Sequence, residues 1–155
     1  MTKSAKPVPD GSLGATPYLA VAGAADAIAF YRQAFGAVET MRIAGPDGKI
    51  GHAELKLGAA TLMLADESPA MGIHGPLTLG GSPVTVHLYV DDVDAFTTRA
   101  VAAGLKIVKP VADQFYGDRG GKFVDPFGHL WWFASRIENL SNDEIQQRAQ
   151  SLFGN

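Results

Sequence analysis

The chain has 155 residues, of which 46% are apolar and 19% charged, with a net charge of −3 and no cysteine. That length suits one domain with its own core, and the composition is globular rather than disordered. Disulfides, thiolate metal sites and cysteine nucleophiles are excluded, and the lack of any long Lys/Arg run argues against a nucleic-acid or membrane partner.

Taken in chain order, residues 1–13 read as a disordered or extended tail. They hold Pro7, Pro9 and Gly11 but no apolar run, so a signal peptide is not expected. No stretch approaches the roughly 20 apolar residues that span a bilayer, which makes a cytoplasmic location the default. Tyr18 to Val21 is a short strand. Ile28, Tyr31 and Phe35 then fall at helical spacing, and Gly36 stands where a helix would end. Three strands follow, Ala37 to Ala44, Ile50 to Leu57 and Ala60 to Ala65, with turns at Pro46-Asp47-Gly48 and Gly58.

About 70 residues further on the pattern returns, and such a period marks an internal repeat. Val84 to Val90 is the strand. Asp91 or Asp92 can cap the next helix, whose apolar face is Val93, Phe96, Ala100 and Val101 and whose end is Gly104. Strands at Lys106 to Val111, Gly120 to Val124 and His129 to Ser135 complete the second half. The expected architecture is α+β: paired βαβββ modules, since one unit alone leaves a sheet face bare, forming curved mixed sheets around a pocket. One domain over 14–138 is expected, with modules at 14–71 and 84–138 and a Gly/Pro-rich linker at 72–83. Over 139–155, Ser141 with Glu144 forms a capping box, and Ile145, Ala149 and Leu152 form a helical stripe that wants a sheet or a second subunit to cover.

Several of these residues resemble one family. Phe30-Tyr31-Arg32-Gln33-Ala34-Phe35-Gly36 is similar to the helix ending of glyoxalase and bleomycin-resistance proteins, the vicinal oxygen chelate superfamily. Asp125-Pro126-Phe127-Gly128-His129 resembles their turn before the last strand, and His87-Leu88-Tyr89-Val90-Asp91-Asp92 the opening of their second module. Gly51 to Leu55 and Asp113 to Arg119 resemble a largely uncharacterised bacterial, PhnB-like branch. The resemblance implies a pocket completed across a homodimer. Function stays open, because the family holds lyases, dioxygenases, epimerases and drug-binding proteins.

The resemblance also implies where a divalent metal would sit: Thr16, Met63, Thr85 and Trp132. None of these is a good ligand for a hard or borderline cation, so no cofactor is expected there. A slip of two residues keeps the strand face, and at the third position it brings in His87. The set His52, Glu54 and His87 is the fallback that leaves room for a displaced metal.

Strand alternation supplies the candidate pocket. If Ala53, Leu55 and Leu57 meet the helices, His52 and Glu54 face the other way. Thr85, His87 and Tyr89 share one face, Met63 faces with Thr61, and Trp132 points opposite to Trp131 and Phe133. The candidate ligand-binding residues are therefore His52, Glu54, Met63, Thr85, His87, Tyr89, Tyr116, Arg119 and Trp132. Glu54 and His87 are the candidate acid–base groups. Each has a plainer reading. His52 and Glu54 suit a solvated pair, and His87 a core histidine. His129 suits a backbone hydrogen bond, and Arg119 an ion pair with Asp113, Asp118 or Asp125. The favoured function is metal-free binding of a small, flat or aromatic molecule. The alternative is a metal-dependent lyase, isomerase or dioxygenase using the displaced set.

Overall fold

The computed structural model describes residues 5–12 and 14–154. Of the expected tail, residues 1–4 and 13 lie outside the described residues, as does Asn155 of the expected C-terminal segment. The elements run β1 (Tyr18–Val21), α1 (Ala24–Phe35), β2 (Val38–Ala44), β3 (Ile50–Leu57) and β4 (Ala60–Asp66). A 3₁₀ turn (Pro69–Met71) and a short α2 (Pro76–Leu79) connect these to the second half. There follow β5 (Thr85–Tyr89), α3 (Val93–Ala102), β6 (Lys106–Asp113), β7 (Asp118–Val124), β8 (Leu130–Arg136) and α4 (Asn142–Phe153). Among the described residues, no helix is long and apolar enough to cross a membrane.

Local chemistry sets the helix ends. Asp66, at the end of β4, accepts hydrogen bonds from the Gly23 and Ala24 amides and so caps α1 from a distant strand. Gly36 ends α1 at φ 68°, a left-handed turn that costs glycine little, and its amide donates to Arg32 O. Asp92, not Asp91, caps α3 by accepting from the Ala95 amide at 2.9 Å. The Ser141–Glu144 capping box opens α4.

The expectation of curved sheets around a pocket is corrected by the strand pairing. The chain forms two separate, open, four-stranded mixed sheets, ordered β1-β4-β3-β2 and β5-β8-β7-β6. Neither closes, and every pairing between named strands stays within one half. The physical reason lies in the helices. α1 covers the first sheet, α3 covers the second, and the two helices pack on each other. Phe35 of α1 stacks on Phe96 of α3 and meets Trp131 and Phe133 of β8. The halves therefore join through their helical faces and one shared aromatic core, without a sheet bending to wrap a cavity.

Buried carboxylate chemistry reinforces that junction. Asp125, only 4% exposed, accepts from Tyr31 Oη at 2.6 Å, Trp131 Nε1 at 2.9 Å and the amides of Phe127 and His129. His129 Nε2 donates to the Ala20 carbonyl of β1 at 2.9 Å. A turn of the second half is thus tied to α1 and β1 of the first.

Candidate functional site

On the first sheet, Ala53, Leu55 and Leu57 are buried, and Leu62 and Leu64 of β4 join them against α1. The opposite face carries His52, Glu54 and Lys56 of β3 with Thr61 and Met63 of β4, because strand residues alternate sides. Register lines up Tyr18, Met63, Glu54 and Met41 across the four strands. Tyr18 Oη lies 2.6 Å from His52 Nδ1, and His52 Nε2 lies 3.1 Å from Glu54 Oε1. Lys56 Nζ donates to Thr61 Oγ1 at 2.7 Å.

Where the tip of the β3–β4 hairpin meets β5, a cavity of about 580 Å³ opens between the halves. Its walls include Glu54 of β3, Met63 of β4 and His87 of β5, with Lys56, Thr61 and Val86 beside them. Residues from both modules and from the segment before β1 therefore share one space. Its size is that of an ordinary small-molecule site.

The second sheet repeats the alternation. Trp131 and Phe133 are fully buried against the helices, whereas Trp132 faces away from them in a row with His87, Lys122 and Lys109. The Lys109 ammonium lies 5.6 Å from the Trp132 ring centre. Trp132 Nε1 is buried without a hydrogen-bond partner. Gly120 makes room for that indole: a Cβ there would stand 2.8 Å from Nε1 and 2.8 Å from the Phe133 carbonyl. Tyr89 Oη donates to Asp118, whose carboxylate also lies 3.4 Å from Arg136 Nε. The bond to Asp118, then burial, pushes the Tyr89 phenol above its ordinary range. Tyr116 is raised first by burial and then by the neighbouring Asp118 and Tyr89. Thr85 begins β5 half-buried.

Arg119 points elsewhere. Its guanidinium grips Asp94 of α3 through Nε and Nη2, at 2.8 and 3.0 Å, and Asp113 through Nη1 at 2.8 Å. These bonds raise its pKa further and hold β7 to α3 and β6. Asp113 was among the partners the sequence suggested; Asp94 was not. Strand register pairs Met63 with Tyr18 and Trp132 with His87, two residues along from Thr16 and Thr85. With either register the donors are one imidazole at most beside hydroxyl, thioether and indole, which does not fit a divalent cation. Among the described residues no group of three or more His, Asp or Glu side chains is placed to hold a metal, so His52, Glu54 and His87 do not form one.

Several polar side chains on these faces were not among the candidates, Tyr18, Lys56, Lys109, Lys122 and Arg136 among them. Lys56 was legible, since it follows His52 and Glu54 at the same two-residue step. Tyr18 stands two residues after Thr16 and is recovered by the same slip that brings in His87. Arg136 lies at the end of β8, where no sequence signal separates strand from tail.

Paired βαβββ modules with a cavity at their junction define a class. The chain matches the Glyoxalase/Bleomycin resistance protein/Dioxygenase superfamily over residues 15–133 and belongs to it. It is 47% identical over 139 residues to an uncharacterised protein of Mycobacterium bovis, covering 88% of this chain and 91% of that one. Among solved structures it is similar to TioX from Micromonospora sp. ML1, with a TM-score of 0.62 and 27% identity over 83% of this chain and 99% of that one. The fold also matches the PhnB protein of Bacillus cereus, with a TM-score of 0.61 and 17% identity over 78% and 98%.

Proposed function

We propose that this chain is a binding protein of the superfamily that holds a small, flat or aromatic, partly apolar molecule without a metal. One observation carries the reading: Glu54, Met63 and His87, from three strands and both modules, line a single cavity of about 580 Å³. Its walls are largely apolar, with Leu57, Leu62, Met63, Val86 and Leu88 around a few polar groups, which suits a small, partly apolar ligand. Trp132 lies outside that lining but in register with His87, which does line it, and offers a ring beside the cavity. Tyr89, Tyr116 and Thr85 stand on or beside the same sheet, and His52 beside Glu54. Arg119, spent on Asp94 and Asp113, leaves the proposed set. The Gly51–Leu55 and Asp113–Arg119 segments support assigning it to the PhnB-like branch, with which it shares the fold. A second reading, a metal-free proton-transfer enzyme, draws on Glu54 and His87 sharing one cavity; turnover of a bound compound that His87→Ala abolishes would favour it.

The test is calorimetric titration of flat aromatic compounds into the wild type, Trp132→Phe and His87→Ala. Losing one stacking or orienting partner should weaken binding about two- to tenfold. Unchanged affinity for every bound compound would remove these residues from the site. Near-equimolar zinc, nickel or iron in protein purified without chelator would overturn the metal-free reading.

A further inference from the structure

The open face of the second sheet gathers cations that nothing on it neutralises. Lys109, Lys122, Trp132 and His87 stand in one row across β6, β7, β8 and β5. Register sets Lys106 opposite Val124, two residues along β7 from Lys122 and so on the same face. Arg42, Arg119, Arg136 and Arg148 are engaged by carboxylates. Among the described residues no carboxylate pairs with Lys106, Lys109 or Lys122. Asp118, the acid that the strands put on this face, is buried and taken up by Tyr89 and Arg136. Three uncompensated ammonium groups, in a chain whose net charge is −3, make this face attractive to anions.

An aromatic ring lies among them. A Cβ at Gly120 would stand 2.8 Å from Trp132 Nε1, so the indole leans onto the sheet across β7, with Nε1 buried. Lys109 Nζ lies 5.6 Å from the ring centre, and Lys122 is the register partner of Trp132 on the next strand. A flat ligand on that ring has lysines of two strands beside it. The cavity between the modules differs: Glu54 and Lys56 line it together, and Asp10 is paired with Lys6, so no positive charge is left over for an anion.

We infer that the open face of the second sheet is a subsite for planar aromatic anions, carboxylates or sulfonates, which stack on Trp132 and set their charge beside Lys109 and Lys122. This inference rests on the small-molecule binding reading, in which Trp132 is a ring beside the cavity, and adds a charge preference that the cavity itself lacks.

Three naphthalenes test it by calorimetry at neutral pH and low salt: 2-naphthoate, 2-methoxynaphthalene and 2-(aminomethyl)naphthalene. The wild type should bind the naphthoate about three- to tenfold more tightly than the methyl ether, the worth of two partly exposed ion pairs, and the amine most weakly. At about 1 M salt that ratio should shrink towards one, since exposed charges are then screened. Trp132→Leu should weaken the naphthoate about two- to tenfold by removing the stacked ring. Lys109→Gln combined with Lys122→Gln should bring naphthoate and ether together, with the melting midpoint checked to show that the fold is kept. Lys56→Gln, in the cavity, should leave the ratio unchanged. A naphthoate no tighter than the ether, a ratio that survives the double variant, one lost in Lys56→Gln, or a naphthoate affinity untouched by Trp132→Leu overturns the inference. Neutral flat aromatics that still bind would leave the binding reading standing. If none of the three binds, nor any other flat aromatic, both fall together.

Discussion

A carboxylate buried without a cation needs donors, and Asp125 is surrounded by them: a phenol, an indole and two amides. Tyr31 feels the other side of the arrangement. Burial, and next the Asp125 charge, push its phenol well above the ordinary tyrosine range. In the unfolded chain the same phenol ionises near pH 10. The folded state holds the proton more tightly, so this group's stabilisation is complete below about pH 10 and is lost as pH rises beyond it. Thermal melting followed from pH 8 to 11 should show a falling midpoint at the alkaline end. Tyr31→Phe should flatten that fall, and lower stability at neutral pH by about 1.5–3 kcal/mol, the worth of a hydrogen bond to a charged group. Tyr89 and Tyr116 are raised too, so some alkaline slope should remain. An identical slope in the variant would show that Tyr31 does not carry it.

At the scale of elements, α4 is held at its start and sparsely along its length. Its capping box is complete, yet none of its residues is buried. Arg148 pairs with Glu138 at 2.7 and 3.0 Å and donates to the Phe115 carbonyl. Phe153 meets Phe115 edge-on. Ser141→Ala should weaken this helix by about 0.5–2 kcal/mol, seen as faster amide exchange in its first turn with little change in the melting midpoint. Unchanged exchange would mean that the Arg148 contacts alone hold α4. The elements were largely legible because the apolar spacing is regular: α1 and β3 fall where Ile28, Tyr31 and Phe35, and Ala53, Leu55 and Leu57, place them. The four-residue α2 escaped notice, since Pro76–Leu79 is too short for any periodicity to show. Arg119 was harder still. Its partner Asp94 is 25 residues away and reads only as an early residue of α3. The curvature expected of the sheets rested on the repeat, which fixes the order of the elements and not how far a sheet bends.

At the scale of the whole molecule, each sheet buries one face and leaves the other open. Tyr18, Met41 and Ile43 on the first sheet and Tyr89 on the second remain about half exposed, at 45–55%. Leu152 and Phe153 at the end of α4 are more exposed, at 62% and 75%. A chain that leaves so many large apolar groups to water gains by covering them, so a homodimer is the expected state. Light scattering at about tens of micromolar, where weak assemblies form, should give twice the chain mass. A monomer there would leave both open faces to solvent and ligand alone.

The aromatic junction between the halves makes each half the other's missing solvent shield. Gly80 and Gly81 are exposed in the connection, and α2 beside them is a single turn. Severed there, the chain would become two fragments. One would bare Tyr31 and Phe35, the other Trp131, Phe133 and the Asp125 carboxylate that Tyr31 had satisfied. Expressed apart, each should aggregate or be degraded. Expressed together, they should reassemble without a covalent link, which would make the molecule a natural split reporter whose two parts recognise each other through a phenol and a carboxylate.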